Sequence, residues 1–318
     1  MIQDQKRHGS TLSDEGEGSA IHRRYLDRLP GTKMSNLRLL HLSVVSLLVL
    51  ELSSGLSVPP TFPGSSTEVV RQAATAIVSA LRDTNTGKKI HSDVHRQSIQ
   101  LPLSANMYSD KEEGFVADRA IGWQGGPQET YRALAPLVRD VLQEVASRLH
   151  DTGGLGAKLQ EQVLLDFDGT GLLTAEHPAG AAYDIQAMLQ PNTDDYYLDT
   201  IAAIEEQFSD TPGKQKRLFI LVNPAWKDKS SWGMFGGARA QTQILDRYAP
   251  TFTTNQFVVR GVKMSLLQTW PPESGWDVFV DPLPYQKNEG NSQQASKWLG
   301  NFATRPDYQE LDSLLLKS

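Results

Sequence analysis

The stretch Leu218-Phe-Ile-Leu-Val222 decides the fold, because it is the strongest strand pattern in the chain. Its five apolar residues run without a polar interruption and end at Asn223-Pro224-Ala-Trp226. Proline has no amide hydrogen to donate and is therefore rare inside a sheet, so the strand should stop there. A continuous apolar run is typical of a strand that is covered on both faces. The fold therefore needs helices on both sides of a sheet.

Helical and strand-like patterns alternate on both sides of this stretch. Apolar residues recur at helical spacing up to Arg82 and again from Pro127 to Leu149. A further helix is expected over residues 195–208, one that Gly236 and Gly237 lead up to about residue 248, and one near 293–299. Strands are expected over residues 97–103, 163–167, 183–189, 252–262 and 276–280. This alternation predicts an α/β fold, a single three-layer domain with a mostly parallel sheet over residues 58–318.

The amino-terminal residues do not continue this alternation. Residues 1–33 are polar and carry mixed charge, which indicates a disordered leader or an upstream start. Residues 34–57 match a secretory signal peptide, with Arg38 before an apolar run and small residues before Ser57. The apolar run from Leu39 to Leu50 would cover about 18 Å as a helix, which is too short for a bilayer core of about 30 Å. We expect cleavage of this segment and no transmembrane span in the mature chain; the alternative is a buried helix of the folded domain.

The composition excludes several classes of function. The chain has 318 residues and no cysteine, which rules out disulfides, cysteine nucleophiles, iron–sulfur clusters and thiolate zinc sites. Its 31 basic and 37 acidic residues give a net charge of −6, so no general nucleic-acid-binding surface is expected. The histidines show no metal-binding spacing, and we predict no metal site and no cofactor.

The most conspicuous local motif is Asp166-Phe-Asp168-Gly-Thr-Gly171, which follows an apolar strand. It resembles the first motif of haloacid-dehalogenase-type phosphatases, and the resemblance implies that Asp166 attacks phosphorus with magnesium bound while Asp168 is the acid/base. Two features of that family are missing: about a hundred residues of domain precede the motif, and no convincing late acidic pair follows it. The alternative is a strand that ends in an acidic glycine turn, where aspartate caps backbone amides.

A second candidate site surrounds Gly236, Gly237 and Arg239. Glycines that lead into a helix can hold an anion through their backbone amides. Neither the P-loop pattern nor the Rossmann spacing is present. A nucleotide- or anion-binding regulatory domain is therefore an alternative function that this segment indicates.

The order of the short motifs resembles a known family. Thr61-Phe-Pro-Gly is followed by Trp123-Gln-Gly125-Gly126, Asn223-Pro224-Ala-Trp226, the Gly-Gly-x-Arg helix and finally Trp270-Pro-Pro. Over about residues 60–285 this order resembles the plastid family called domain of unknown function nineteen-ninety-five. That family includes the Low Photosystem II Accumulation assembly factors and a domain appended to a chloroplast adenylate kinase. The resemblance transfers no catalytic residue.

The resemblance implies a plastid protein, soluble or peripheral to thylakoids, that assists assembly of photosystem II or a related complex. Its partners would be thylakoid membrane protein subunits. It would reach the plastid through its signal peptide, with retention in the secretory pathway as the alternative. A complete set of catalytic residues is lacking, and this favours a protein that is not an enzyme. The candidate binding residues are Trp123, Gly125, Gly126, Asn223, Pro224, Trp226, Gly236, Gly237 and Arg239.

Overall fold

The computed structural model describes residues 60–82, 95–103, 126–149, 157–165, 167–178, 180, 184–206, 217–281 and 296–318. The predictions of a leader at 1–33 and a signal peptide at 34–57 lie outside the described residues. None of the helices in the described ranges is long and apolar enough to cross a membrane.

The described part contains five α-helices and nine strands. The helices are α1 (Ser66–Arg82), α2 (Pro127–Leu149), α3 (Asp195–Glu206), α4 (Gly233–Ala240) and α5 (Tyr308–Lys317). The strands are β1 (Arg96–Gln100), β2 (Lys158–Leu165), β3 (Thr170–Glu176), β4 (Ile185–Leu189), β5 (Leu218–Val222), β6 (Ala249–Val259), β7 (Val262–Thr269), β8 (Trp276–Val280) and β9 (Lys297–Phe302). A 3₁₀ turn precedes α4 (Lys229–Trp232) and a π-helical turn follows it (Gln241–Leu245).

All nine strands form one mixed sheet in the order β2-β3-β4-β5-β1-β6-β7-β8-β9. The strands β4, β5, β1 and β6 are parallel to one another, and every other pairing is antiparallel. The predicted α/β class is confirmed, whereas the prediction of a mostly parallel sheet is wrong. Short turns join β2 to β3 and β6 to β7. Strands that are joined by so short a connection pair antiparallel, because a parallel pair needs a long crossover connection.

The strands β6 and β7 form a hairpin whose turn is not evident from the sequence. The sequence predicts one strand over residues 252–262, but the chain reverses at Arg260-Gly261. Both residues have positive φ, 51° and 79°, which is the conformation of the two-residue hairpin turn that matches strand twist. Arginine is an unusual residue for the first position of such a turn, so the sequence carried only a weak turn signal.

Helices cover both faces of the central strands. On one face α1 and α2 pack on Leu218, Ile220 and Val222, and on the other α3 packs on Phe219 and Leu221. Every residue of β5 is buried, as its unbroken apolar sequence predicted. Because β5 lies between two helical layers, both of its faces are covered, and no polar residue interrupts its sequence.

The carboxyl-terminal flank of the sheet has its own small core. The helix α5 packs Leu311, Leu314 and Leu315 against residues of β6 to β9. The helix predicted near residues 293–299 is wrong in its described part, because Lys297–Phe302 is strand β9. Pairing of β9 with β8 accounts for the difference, since that tertiary contact is not visible in the local sequence.

The opposite flank also differs from its prediction. The strand expected over residues 163–167 is the longer β2, Lys158–Leu165, and it is the outermost strand of the sheet. Its residues are exposed or only partly buried, and Val163 retains 53% of its accessible surface. The strand β3, which the sequence analysis did not predict, lies between β2 and the central strands.

Candidate functional site

The carboxyl ends of the parallel strands are the natural place for a ligand in this fold. Open α/β sheets bind ligands in the crevice where neighbouring strands send their connections to opposite faces. Here α2, which follows β1 in the chain, lies on one face, while α3 and α4, which follow β4 and β5, pack on the other. The crevice therefore falls between the carboxyl ends of β1 and β5.

Asn223 bridges this crevice. Its side-chain Nδ2 donates a hydrogen bond to the carbonyl of Leu101 over 2.9 Å, and its Oδ1 accepts one from the Leu101 amide over 2.7 Å. Its own amide donates to the Ile99 carbonyl over 2.9 Å, and its φ of 49° turns the chain out of the sheet. The asparagine thus continues the hydrogen-bond ladder between β5 and β1 beyond the last strand residue.

A second polar group lies at the carboxyl end of β4, beside the turn between β2 and β3. Tyr197 of α3 donates from its Oη to Oδ2 of Asp168 over 2.6 Å, and Nδ2 of Asn192 donates to the same oxygen over 3.1 Å. The Tyr197 hydroxyl also lies 3.0 Å from Oγ1 of Thr170. Burial and the hydrogen bond to Asp168 raise the pKa of Tyr197 above its usual value. We call Asp168, Thr170, Gln190, Asn192 and Tyr197 the carboxyl-edge cluster.

Asp168 of the carboxyl-edge cluster belongs to the motif that resembles a phosphatase. Asp166 lies outside the described residues. The partners of the Asp168 carboxylate are the uncharged Tyr197 and Asn192, and the bonds fasten the hairpin of β2 and β3 to α3. Among the residues that the structure describes, no group of three or more His, Asp or Glu side chains could hold a metal ion.

The glycines of the same motif allow the hairpin to contact the start of α2. A Cβ atom on Gly169 would lie 2.2 Å from the carbonyl oxygen of Pro127, and its φ is 61°. A Cβ atom on Gly171 would lie 2.6 Å from Oη of Tyr131. Gln190 joins the two segments, because its Nε2 donates to the Gly169 carbonyl over 2.7 Å and to the Pro127 carbonyl over 3.2 Å. Close packing therefore accounts for both glycines.

Gly126 lies next to this contact, at the start of α2. Its carbonyl accepts the amide and the hydroxyl hydrogen of Thr130, each over 2.9 Å, in the first turn of the helix. A Cβ atom here would meet no atom within 4 Å, so packing does not require glycine at this position. The two other predicted binding residues of this motif, Trp123 and Gly125, lie outside the described residues.

The remaining candidates gather around a pair of tryptophans on the α3 face. Trp226 and Trp232 are both buried, with ring centroids 4.9 Å apart, and Pro224 is buried as well. The helix α4 begins at Gly233, so Gly236 and Gly237 lie inside the helix and not at its start as predicted. A Cβ atom on Gly237 would lie 2.9 Å from the Lys229 carbonyl oxygen, which makes that glycine a packing requirement.

Arg239 projects from α4 toward α3. Its guanidinium forms an ion pair with Asp199 and donates from Nε to Gln243 over 3.0 Å. The hydrogen bond to Asp199 raises the pKa of Arg239, so the group keeps its charge. Arg239, the residue predicted to bind an anion, is therefore paired with α3 in this structure.

Comparison with known families gives one result. The family model "Domain of unknown function (DUF1995)" matches residues 63–313. The chain belongs to this family. A search of curated proteins and a search of solved structures found no match.

The DUF1995 match extends the region expected from the motifs alone. The motif order resembles the family over about residues 60–285, whereas the match continues to residue 313 and so includes β9 and part of α5. All nine strands of the sheet lie within the DUF1995 domain. The carboxyl-terminal flank is thus part of the family domain.

Gln190, Asn192 and Tyr197 of the carboxyl-edge cluster in this DUF1995 domain were not predicted as site residues. A usable signal existed, because Gln190-Pro-Asn192 follows a predicted strand next to the one that ends at Asn223. Polar residues at the carboxyl ends of parallel strands meet at one edge of the sheet. Applying that rule would have placed Gln190 and Asn192 near Asn223.

Proposed function

We propose that this DUF1995 protein is a non-enzymatic plastid protein that assists assembly of photosystem II or a related thylakoid complex by binding its membrane subunits. The observation that carries the non-enzymatic part is the Asn223 bridge across the crevice between β1 and β5. The plastid and photosystem parts rest on the family, through the assembly factors that the motif order resembles.

The Asn223 bridge matters because of its position. In α/β enzymes the crevice at this point admits a substrate or cofactor between the strand ends. Here an amide side chain satisfies both backbone groups of Leu101 at that point. A ligand that entered would have to replace two hydrogen bonds in a partly buried position, and leaving such groups unsatisfied costs about 1–3 kcal/mol each. The crevice therefore serves the stability of the sheet.

The charged candidates support the same proposal. The Asp168 carboxylate accepts two hydrogen bonds that hold the β2–β3 hairpin on α3, and Arg239 holds α4 on α3. Both groups connect elements of the fold to one another. A protein whose candidate polar residues are engaged in this way is better suited to present its surface to a partner than to bind a small substrate.

The route to the plastid is a separate part of the proposal. The segment 34–57 carries the pattern of a signal peptide, and algae with secondary plastids deliver plastid proteins through the secretory pathway. A fluorescent tag at the carboxyl terminus tests this route in living cells of the source. We expect plastid fluorescence for the full chain and cytosolic fluorescence when residues 34–57 are deleted. Accumulation of the full chain in the secretory pathway would contradict plastid delivery.

Assembly activity is tested by removing the gene and by capturing the protein. A knockout should lower the level of photosystem II or a related thylakoid complex, and re-expression of the full chain should restore it. Affinity capture from thylakoid-containing membranes should recover subunits of the same complex, whereas an unrelated tagged plastid protein serves as the control. Unaltered photosystem levels together with capture of no photosynthetic subunit would overturn the proposal.

A further inference from the structure

The strand β2 presents an open edge along one side of the sheet. It has eight residues, and it pairs with β3 on its inner side while no strand of the described residues pairs with its outer side. A long edge strand exposes backbone amides and carbonyls that another extended segment can pair with. Such an edge is a template for a partner strand.

A recess lies near the carboxyl end of β2, between Val163 and the β2–β3 turn on one side and the first turns of α2 on the other. Gln128, Tyr131, Arg132, Val163, Gly169 and Thr170 line it. Tyr131 donates from Oη to Oε1 of Glu161 over 2.6 Å, and Arg139 forms an ion pair with the same carboxylate, so α2 is fixed against the strand. The recess is therefore held open by contacts that do not depend on an occupant.

The charges around the recess are unbalanced. Glu161 is neutralised by Arg139, and Lys158 lies 3.3 Å from Glu176 at the far end of the strand. Arg132 is exposed and has no acidic partner among the residues that the structure describes. A carboxylate brought to this recess would pair with Arg132 without displacing any existing ion pair of the strand.

Apolar surface accompanies this charge. Val163 faces the recess with 53% of its surface exposed, and Phe167 in the following turn has 70% exposed. Side chains on one face of a strand recur every second residue. An added strand can therefore place an apolar side chain against Val163 and a carboxylate near Arg132 from two positions of the same face.

We propose that the open edge of β2 binds an extended segment of a partner protein by strand addition, with an apolar residue against Val163 and an Asp or Glu two positions away at Arg132. The proposal deepens the proposed function, because it rests on a role in binding protein partners and names the surface for it. Charge complementarity at Arg132 and the exposed edge together favour a short acidic–apolar segment over a folded surface.

The experiment uses the full chain and a library of random twelve-residue peptides displayed on phage. Selected sequences are synthesised with a fluorophore, and their binding is measured by fluorescence anisotropy on the wild type, on Arg132→Glu and on Arg71→Glu. Arg71 is an exposed arginine of α1, which packs on α2 and on β6, so its replacement makes the same charge change away from β2. Two further sets of the selected peptides are methylated on alternate backbone nitrogens, one set on the odd positions and the other on the even positions. They test the strand pairing without altering the protein.

We expect selected peptides to share an acidic residue two positions from an apolar one. Arg132→Glu should weaken their binding at least about tenfold, and Arg71→Glu should leave it within about twofold. One of the two methylated sets should lose binding while the other keeps it, because only alternate amides of an added strand face β2. Amides of β2 should gain protection from hydrogen exchange when the peptide binds.

Three results would overturn the proposal. The first is the absence of any selected peptide, and the second is binding that survives Arg132→Glu and both methylated sets. The third is a dimer of the chain alone in analytical ultracentrifugation whose β2 amides are already protected, because the occupant would then be a second copy. Random peptides contain no photosystem sequence by design, so this test can succeed or fail independently of the knockout and capture experiments.

Discussion

The central strands β4 and β5 contrast with the outermost strand β2 in how deeply their residues are buried. Every residue of β4 and β5 is buried, and helical layers cover both faces of these strands. The outermost strand β2 keeps most of its residues in contact with solvent. The centre therefore contributes stability through burial, while the flank leaves backbone and side chains free to meet a partner. This difference separates the part of the domain that maintains the fold from the part that we propose to bind.

The largest effect should come from a cavity in the centre. Ile220 is fully buried in β5, so Ile220→Ala removes apolar contacts and leaves a void, at a cost of about 3–4 kcal/mol of unfolding free energy. The matched change in the flank, Val163→Ala, should alter stability by no more than about 0.5 kcal/mol because the side chain is half exposed. Urea unfolding of both variants measures the contrast. Equal losses would contradict the separation between centre and flank.

Asn223 should follow in size. Asn223→Ala leaves the amide and carbonyl of Leu101 without their partners, and we expect a loss of about 2–3 kcal/mol in urea unfolding. Asn223→Gly is the control, because glycine accepts the φ of 49° at no steric cost. A similar loss in both variants would assign the effect to the side-chain amide. Recovery of wild-type stability in Asn223→Gly would instead assign it to the backbone.

A buried tyrosine gives the next effect, and it depends on pH. Tyr248 donates to Glu205 over 2.6 Å, and burial followed by the charge of Glu205 raises its pKa well above 10. In the unfolded chain tyrosine ionises near pH 10. Above pH 10 the unfolded state loses a proton that the folded state keeps, so the free energy of unfolding falls as pH rises. Below pH 10 the tyrosine has no effect on the pH dependence of stability.

The variant Tyr248→Phe tests this pH dependence. At neutral pH it should lose about 1–2 kcal/mol with the hydrogen bond to the carboxylate. Above pH 10 its stability should fall less steeply than that of the wild type, by about 1.4 kcal/mol per pH unit. An unchanged slope in Tyr248→Phe would contradict the assignment.

The smallest effect concerns Arg239. Because its ion pair with Asp199 lies on the surface, Arg239→Ala should change stability too little to measure. Thermal-shift assays with ATP or inorganic phosphate should show the same melting temperature with and without the ligand. A ligand-induced stabilisation that disappears in Arg239→Ala would favour an anion site at α4 after all.

The contrast between centre and flank also explains what the sequence could predict. The strands at 218–222 and 276–280 and the helices α1 and α2 were predicted closely, because burial on both faces or on one helical face leaves a clear apolar period. The strand β3 and the hairpin at Arg260-Gly261 were not predicted, and the first residues of β9, 297–299, were predicted as part of a helix. These elements owe their form to pairing with neighbours and to turn geometry, which local sequence does not record.

The candidate site was predicted only in part. Asn223, Pro224 and Trp226 were recognised as a unit, but their roles in bridging Leu101 and in packing on Trp232 required the neighbouring elements. The glycines at 236 and 237 were expected to begin a helix, whereas the 3₁₀ turn at Lys229–Trp232 places that beginning earlier. A glycine pair before an apolar helix is compatible with either arrangement, and only the packing of Gly237 on Lys229 distinguishes them.

The most direct test of a structural centre and a binding flank is complementation of the knockout with Arg132→Glu. Photosystem II levels are measured by immunoblot in lines that accumulate equal amounts of wild type, Arg132→Glu or Arg71→Glu. We expect wild type and Arg71→Glu to restore the complex and Arg132→Glu to fail to restore it. Full restoration by Arg132→Glu, at equal protein level, would contradict this expectation.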